Sequence, residues 1–489
     1  MTVHRPILWQ LVSHPGSIAS IDDRRTTRNF ELLIAIYHIA SAIEARCQSR
    51  TVGVLLPTGG GFPAAAIAAM TLGKTVVPLN YLLKKEELQY VIDDCGTDTV
   101  VTARGMIEHL GYAPRVGRLL FVDEIDFGGV PDFRWPAPAA DDDTAILLYT
   151  SGTSGKPKGV MLSHGNIESN IRQVRDWVDF SRADSMLGVL PQFHTFGLTV
   201  LTLLPLAGGI KTIYTARFVP GKIIRLLREH RPTVLVAIPS MYNALLHAKD
   251  AKPEDFRSLR YVVSGGEPLP GAVRDAFREK FGVTINEGYG LTETSPVTNW
   301  CRPHEFRAGS VGKPLPEIDQ RIVDTATGRT LPPNTDGEVW MKGPNIMKGY
   351  YNLPAETARA FSDSGYFRTG DIGRFDSDGH LFITGRLKEM LIVGGENVFP
   401  REIEEVLERH PSVHASGVVG LPDPMRGELP LAFVEMKEGA AFDETALLVW
   451  CRQNLAGYKV PTEIRRMDAL PRNPTGKVMR RELKALAKA

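Results

Sequence analysis

A charge imbalance is the first thing this chain lacks: 57 basic and 56 acidic side chains leave a formal net charge of +1 over 489 residues. Nothing global therefore steers it towards nucleic acid or an anionic membrane. Cysteine is also scarce. The four present, Cys47, Cys95, Cys301 and Cys451, lie far apart with neither metal-ligand spacing nor a dense disulfide pattern, so they read as buried thiols in a reducing compartment. Long apolar runs are missing too. The longest uncharged stretch, between Asp184 and Lys211, is interrupted by Pro191, Gln192, His194, Pro205 and four glycines, which suits buried helix and strand better than a membrane span. The apolar run after Met1 is too short for a signal peptide, so the expected location is cytoplasmic, without an integral membrane segment. Finally, no G-x-S-x-G elbow occurs, which sets a serine hydrolase of that type aside.

What is present is ordinary globular composition, 43% hydrophobic and 23% charged, at a length that calls for at least two domains. One stretch stands out: Leu147–Gly159, LLYTSGTSGKPKG, where an apolar strand end breaks into hydroxyls, glycines and lysines. Gly152, Gly155 and Gly159 free the backbone to turn consecutive N–H groups onto one anion, and Thr150, Ser151, Thr153 and Ser154 add donors. Lys156 and Lys158 add charge. The loop is not a Walker motif, since the second glycine falls in the wrong place and position 157 is proline. A polyphosphate is the ligand such a loop suits, and a mobile surface turn is the alternative that its composition also allows.

Elsewhere the rhythm is strand, loop, helix, strand, beginning with TVGVLLP at Thr51 and continuing through GGGFPAAAIAAMTLG to TVVPLN, as in a parallel α/β sheet. The run Gly59–Ala64 matches a dinucleotide fingerprint, but Asn80 stands where a ribose-binding acid would be needed. Residues 130–143 read as a connection, and Ser163–Asn166 as a helix start. His194 sits among Phe193, Phe196 and Leu198, the setting of a satisfied core histidine or of a pocket wall. Further apolar strands run into SGGEP at Ser264, a glycine loop where open α/β sheets bind ligands. In INEGYGLTETSP, Tyr289 between glycines offers an exposed ring for stacking a base, and Thr292 with Glu293 a hydroxyl and carboxylate suited to Mg²⁺. GYFRTGDIG places Asp371 in a glycine-flanked turn, free to accept ribose hydroxyls or merely to cap the turn. Past His380 two short strands flank Gly385–Lys388, a helix begins near Pro400, and the remainder reads as a small α+β domain closing on a basic helix.

The order of these motifs, YTSGTSGKPKG, SGGEPL, YGLTETSP, YFRTGD, GRLKEM, GGENVFPREIEE and NPTGK, resembles the adenylate-forming superfamily of acyl-CoA synthetases, adenylation domains and luciferases, closest to fatty acyl-CoA ligases. The resemblance spans about Val54 to Lys477. It implies an α/β fold with a large N-terminal domain of layered sheets and helices, residues 1–387, and a small mobile α+β domain, 388–489. It further implies that Thr150, Ser151, Gly152, Thr153, Ser154, Gly155 and Lys158 cradle the ATP phosphates, that Gly265, Gly266, Glu267 and Tyr289 hold the adenine, and that Glu287 and Gly290 are also cofactor-binding. Thr292 and Glu293 would meet the α-phosphate, with Glu293 and Thr150 holding Mg²⁺, while Asp371 and Arg386 grip the ribose. Lys388 falls at the family's hinge, Gly395 on the strand presented to the pantetheine arm, and Lys477 at the lysine that bridges carboxylate and α-phosphate. Histidine at 194, where amino-acid-activating relatives carry aspartate, argues against an amino acid substrate and places His194 at the gate of an acyl pocket. The implied reaction uses ATP, Mg²⁺ and CoA to activate a medium or long-chain fatty acid. The alternative is a stand-alone enzyme loading an acyl carrier protein.

Overall fold

A computed structural model describes residues 2–150, 156–472 and 478–487. Among them the strands form four sheets. A seven-stranded sheet carries Thr51–Leu55, Thr75–Pro78 and Thr144–Thr150 side by side and parallel, and Lys158–Ser163 returns antiparallel to Thr144–Thr150. A nine-stranded sheet holds Ser185–Gly188, Val234–Ala237, Tyr261–Ser264 and Asn286–Gly290 in parallel register. The helix Gly61–Thr71, apolar on every face, is buried from Phe62 to Thr71, as a helix without a polar stripe must be.

The dinucleotide decoy resolves here. The Gly59 N–H donates to Gln192 Oε1 at 2.9 Å and the Gly60 N–H to Asp22 Oδ2 at 2.9 Å, so the amides that a pyrophosphate would need have internal acceptors. Ser163 does open a helix, His164–Trp177: its Oγ accepts from Asn166 N–H at 3.1 Å, and Asn166 Oδ1 accepts from Ser163 N–H at 2.9 Å, a reciprocal cap. Residues 130–143 contain no helix or strand, as expected of a connection, and the four cysteines are buried. No helix among the described residues is long and apolar enough to cross a membrane.

Two further sheets follow, the first antiparallel and the second antiparallel except for its strand Glu463–Met467, which runs parallel to Gly427–Met436. Asp319–Val323, Gly337–Lys342, Phe367–Phe375 and Leu381–Arg386 form a four-stranded sheet, and Leu391–Val393, Glu396–Val398, Val413–Asp423, Gly427–Met436 and Glu463–Met467 form the last. The largest apolar cluster draws buried members from Val3 to Leu381, whereas the clusters of the last hundred residues begin at Leu391. The molecule is thus a large α/β unit followed by a small α+β unit. A helix starts at Pro400 as its proline at the first position predicts.

His4, on the first helix, and His164 meet edge to face with ring centroids 5.3 Å apart, 0% and 3% exposed. Among the described residues, both nitrogens of His4 and Nδ1 of His164 have no hydrogen-bond partner. Burial, with repulsion from His164 and Arg5, pushes His4 down to about 3; burial pushes His164 down to about 4 against the pull of Asp143 and Asp141. The unfolded chain therefore binds protons that the folded one refuses below the ordinary value of 6.5. Stability is fully present above that value and drains away as pH falls through about 4 for His164 and about 3 for His4. His4→Phe keeps an aromatic ring against His164 and removes one titration, so its thermal midpoint should fall less steeply with acid than that of the parent; an identical slope would exclude the pair as the source.

Candidate active site

A cavity of about 1060 Å³ opens where the parallel strands of the nine-stranded sheet end and the four-stranded sheet approaches. Strand ends of this kind leave backbone groups without sheet partners, and the loops after them are free to shape a site. Val236, Ile238, Val263, Gly265 and Gly290 bring the strand ends to its wall. Two glycines are needed for close approach. A Cβ on Gly265 would sit 3.0 Å from the Phe196 ring, and one on Gly290 would sit 1.9 Å from the Pro296 carbonyl oxygen.

Asp371 does not lie in a glycine-flanked turn. It occupies the middle of the nine-residue strand Phe367–Phe375, where it pairs with Arg386 and opens the register with Leu381–Arg386, which shifts between Ile372 and Gly373. Its carboxylate is buried and doubly held: Tyr289 donates its hydroxyl to Oδ2 at 2.6 Å, and Arg386 Nε lies 2.9 Å from Oδ1. Asp371 raises the guanidinium's already high pKa, and burial and that carboxylate raise the Tyr289 phenol. A supporting layer fixes the strand. Thr369 Oγ1 accepts from Asp371 N–H at 3.0 Å and donates to Val339 O at 2.7 Å, while Glu338 accepts from Gly370 N–H at 3.0 Å and from the Trp340 indole at 2.7 Å. Tyr289 is likewise no exposed turn residue; it is half-buried on the strand Asn286–Gly290 with its hydroxyl pinned.

The anion-facing side is built from three segments. Thr150 and Lys158, opposite each other across the strands flanking the phosphate loop, both line the cavity. Lys158 Nζ pairs with Glu356 Oε2 at 2.7 Å and stands 5.5 Å from the Tyr350 ring centre. Tyr350 in turn donates to Glu293 Oε1 at 2.9 Å. Burial raises the Glu293 pKa above the ordinary carboxylate value, the condition that a nearby cation would relieve. The donor set of the half-buried Glu293 carboxylate and the Thr150 hydroxyl, both hard oxygens, fits Mg²⁺ carried in with a triphosphate. Sequence reading missed Tyr350, Glu356 and Glu338; the tyrosine, in KGYYN, has no local signal that could mark it. Lys156, in contrast, is absent from the cavity lining and stands 5.4 Å from the Tyr90 ring centre.

His194 is not packed into the core: it lines the cavity, with its ring open to that space and protein around it. Its Nδ1 faces the Phe196 N–H at 3.4 Å, which leaves Nε2 to carry the proton, and burial lowers its pKa, so a neutral imidazole presents a donor. Gly266, Glu267, Thr292, Arg386 and Lys388 line the same cavity. Burial and the Arg386 charge lower the Lys388 pKa. Glu287 instead lines a second cavity of about 890 Å³, accepts from Leu269 N–H at 3.4 Å, and is pushed up to about 7 by burial. Gly395 is exposed at the tip of the hairpin Leu391–Val398 and lines neither cavity. Ser151, Gly152, Thr153, Ser154, Gly155 and Lys477 lie outside the described residues.

Comparison with known proteins agrees with this geometry. Residues 8–351 match the profile of the AMP-binding enzymes, and 402–477 that of the AMP-binding enzyme C-terminal domain. A feruloyl-CoA synthase of Amycolatopsis sp is 35% identical over 435 residues, 88% of each chain. A long-chain-fatty-acid–CoA ligase of Bacillus subtilis (strain 168) is 39% identical over 349 residues, 70% of this chain and 62% of that one. The crystal structure of ATP-bound MatB from Rhodopseudomonas palustris superposes with a TM-score of 0.90 at 31% identity, covering 100% of this chain and 99% of the other.

The Tyr350 hydroxyl donates to the Glu293 carboxylate, so Tyr350→Phe should lower turnover with ATP roughly tenfold, the worth of a hydrogen bond to a charged group, without moving the thermal midpoint by more than a few degrees. Wild-type turnover in a steady-state assay would show that the Glu293 carboxylate is oriented by something else.

Proposed function

The chain belongs to the AMP-binding enzymes, the adenylate-forming acid–CoA ligases, and from that premise we propose that the acid it activates has a neutral, apolar tail, a medium or long-chain fatty acid. The coarse activity follows from membership: ATP, Mg²⁺ and CoA are used to join a carboxylic acid to the CoA thiol through an acyl adenylate. A carboxylate oxygen attacks the α-phosphorus as the bond to pyrophosphate breaks, and the thiol then attacks the acyl carbon as AMP leaves and the thiol proton is lost. No general base is needed for the first step, because the acid is already ionised near neutral pH.

One observation carries the substrate reading. Between Leu190 and Trp300 the cavity lining includes Val200, Val236, Ile238, Met241 and Val263 but no lysine or arginine; the cations among the lining residues come from Lys158, Arg359, Arg368, Arg386 and Lys388. A second anionic group on the substrate would lie against that apolar wall without a partner, a burial that costs several kcal/mol. Phe196 and Trp300 in the same lining support a second reading, a flat aryl acid, as does the likeness to a feruloyl-CoA synthase.

The residue roles we assign are those the family resemblance implies, and the pairing of Asp371 with Tyr289 and Arg386 at the cavity supports them. Asp371 and Arg386 hold the ribose hydroxyls, Tyr289 the adenine, Thr292 the α-phosphate, and Glu293 with Thr150 the Mg²⁺, whose charge offsets what builds on the phosphates. His194 offers its Nε2 proton at the junction of the polar and apolar walls. We place the domain boundary after residue 387, where sheet membership and apolar clustering both change. The C-terminal domain, 388–489, then brings Lys477 to the reacting carboxylate and later presents the Gly395 hairpin to the thiol. Free CoA is the acceptor; a holo-carrier protein is the competing one.

A pyrophosphate-release screen over saturated acids of graded length, hydroxycinnamates and dicarboxylates, each with CoA or a holo-carrier protein, tests the substrate. The apolar acids should lead, and preference for a dicarboxylate would overturn the reading. His194→Asp puts an anion where the substrate carboxylate arrives, so activation of fatty acids should drop at least about tenfold; unchanged kinetics would remove His194 from the acyl site. Lys477→Ala should slow adenylation by about 10²–10³, with thioester formation from supplied acyl adenylate spared. Pyrophosphate release at the parental rate would refute that assignment.

A further inference from the structure

The wall that carries His194 into the cavity is wound in a way that few helices are. From Phe196 to Leu203 the chain is a π-helix, and the Leu204 N–H after it still reaches back five residues to Thr199 O. Such winding is rare, and a run of eight residues needs support from its surroundings. Two of its carbonyls take side-chain hydroxyls: Thr202 donates to Gly197 O at 2.9 Å, and Tyr214, at the end of the strand Lys211–Tyr214, donates to Leu201 O at 2.9 Å. The helix and the bend before it give His194, Thr195, Phe196 and Val200 to the cavity lining.

Behind that wall runs a buried relay of hydrogen bonds. The Gly59 N–H donates to Gln192 Oε1 at 2.9 Å, Gln192 Nε2 to Thr202 Oγ1 at 3.1 Å, and Thr202 Oγ1 to Gly197 O at 2.9 Å. Its direction is fixed at both ends. A backbone N–H can only donate and a carbonyl can only accept, so the glutamine amide and the threonine hydroxyl each have one orientation. Gln192 and Thr202 are 1% and 0% exposed and line neither of the two cavities, so neither is placed to touch substrate. Gly59 follows the strand Thr51–Leu55 of the seven-stranded sheet, whereas Gln192 follows Ser185–Gly188 of the nine-stranded one. The relay therefore ties the bend that presents His194 to the other sheet. Within the bend, the Pro191 carbonyl accepts from His194 N–H at 3.2 Å, and a Cβ on Gly197 would sit 2.2 Å from that same oxygen. Gln192 lies between these two anchored residues, so a shift of its amide moves the imidazole with it.

We propose that Gln192 is a positioning residue for the substrate acid: through Thr202 it holds the π-helical winding that keeps the His194 imidazole aimed at the reacting carboxylate. The inference rests on the placement of His194 at the acyl site made above. The glycine run that matches a dinucleotide fingerprint supplies the anchor of the relay, its Gly59 amide.

The test is a double-mutant cycle in the full chain, with pyrophosphate release followed against the acid that leads the screen above and, separately, against ATP. Gln192→Met removes the amide at nearly constant volume, Thr202→Val removes the hydroxyl, and Thr202→Ser keeps it. Gln192→Met and Thr202→Val should each raise the KM for the acid roughly tenfold to a hundredfold, the worth of a hydrogen bond to a charged group. The KM for ATP should stay within about twofold, and Thr202→Ser should stay parental for both substrates. In a His194→Ala background the same substitutions should add less than about twofold, because residues that act through one contact are not additive. Each leaves a buried group without its partner and lowers the thermal midpoint, which is all that a purely structural role would do. The two substitutions break the relay at different links, so either completes the cycle if the other fails to fold. A lowered midpoint with a parental acid KM, equal rises for acid and ATP, or a full rise retained in His194→Ala would each overturn the positioning role and leave His194 at the site. A parental acid KM in His194→Ala would overturn the underlying placement, and this inference with it.

Discussion

The Asp371 carboxylate is the constraint on which the site depends. It is buried on the central strand of one sheet, accepts the Tyr289 hydroxyl from another, and pairs with Arg386 at the end of the neighbouring strand. A buried carboxylate left without partners costs far more than the bonds return, so the two sheets and the strand end must stay in register to keep it partnered. That requirement ties the end of the nine-stranded sheet to the four-stranded one at the mouth of the cavity. It also fixes Arg386, from which the chain departs towards Lys388 and the small unit.

The same cavity divides by charge. Its polar wall gathers Lys158, Glu293, Asp371, Arg386 and Lys388, while the strands ending at Ala237 and Ser264 contribute branched aliphatic neighbours. An acid–CoA ligase draws on such a division, because the reacting carboxylate oxygen must reach a cation-rich region while apolar walls exclude water. Pairs such as Lys158 with Glu356, and Tyr350 with Glu293, keep the polar wall satisfied in the free protein. Such groups are preorganised, which saves reorganisation when the nucleotide enters.

Much of the fold was legible locally. The strand and helix periodicities around Thr51–Pro78, the Ser163 cap and the Pro400 helix start all follow from residue chemistry over a few positions, and the structure places them so. Asp371 was misread as a turn residue, and Tyr289 as an exposed ring, for an equally local reason. Glycines on both sides predict a turn, but cross-strand pairing overrode that preference, and a strand's partner cannot be seen from its own sequence. The dinucleotide decoy failed because its amides meet Gln192 and Asp22, residues more than thirty positions away in either direction.

The sequence by itself determined the kinds of group available and their order along the chain: the phosphate-type loop, the acids and cations of the nucleotide site, and hence the family. Tertiary structure alone decided which of these meet. It put His194 at the cavity instead of in the core, turned Glu287 towards a second cavity, recruited Tyr350 to Glu293, and set Arg480 between Glu389 and Glu404. The reason is physical. Backbone preference and capping act over a few residues and leave a trace in spacing, whereas a hydrogen bond or ion pair between residues ninety positions apart exists only once packing has closed the distance, and its donor looks like any other surface side chain until then.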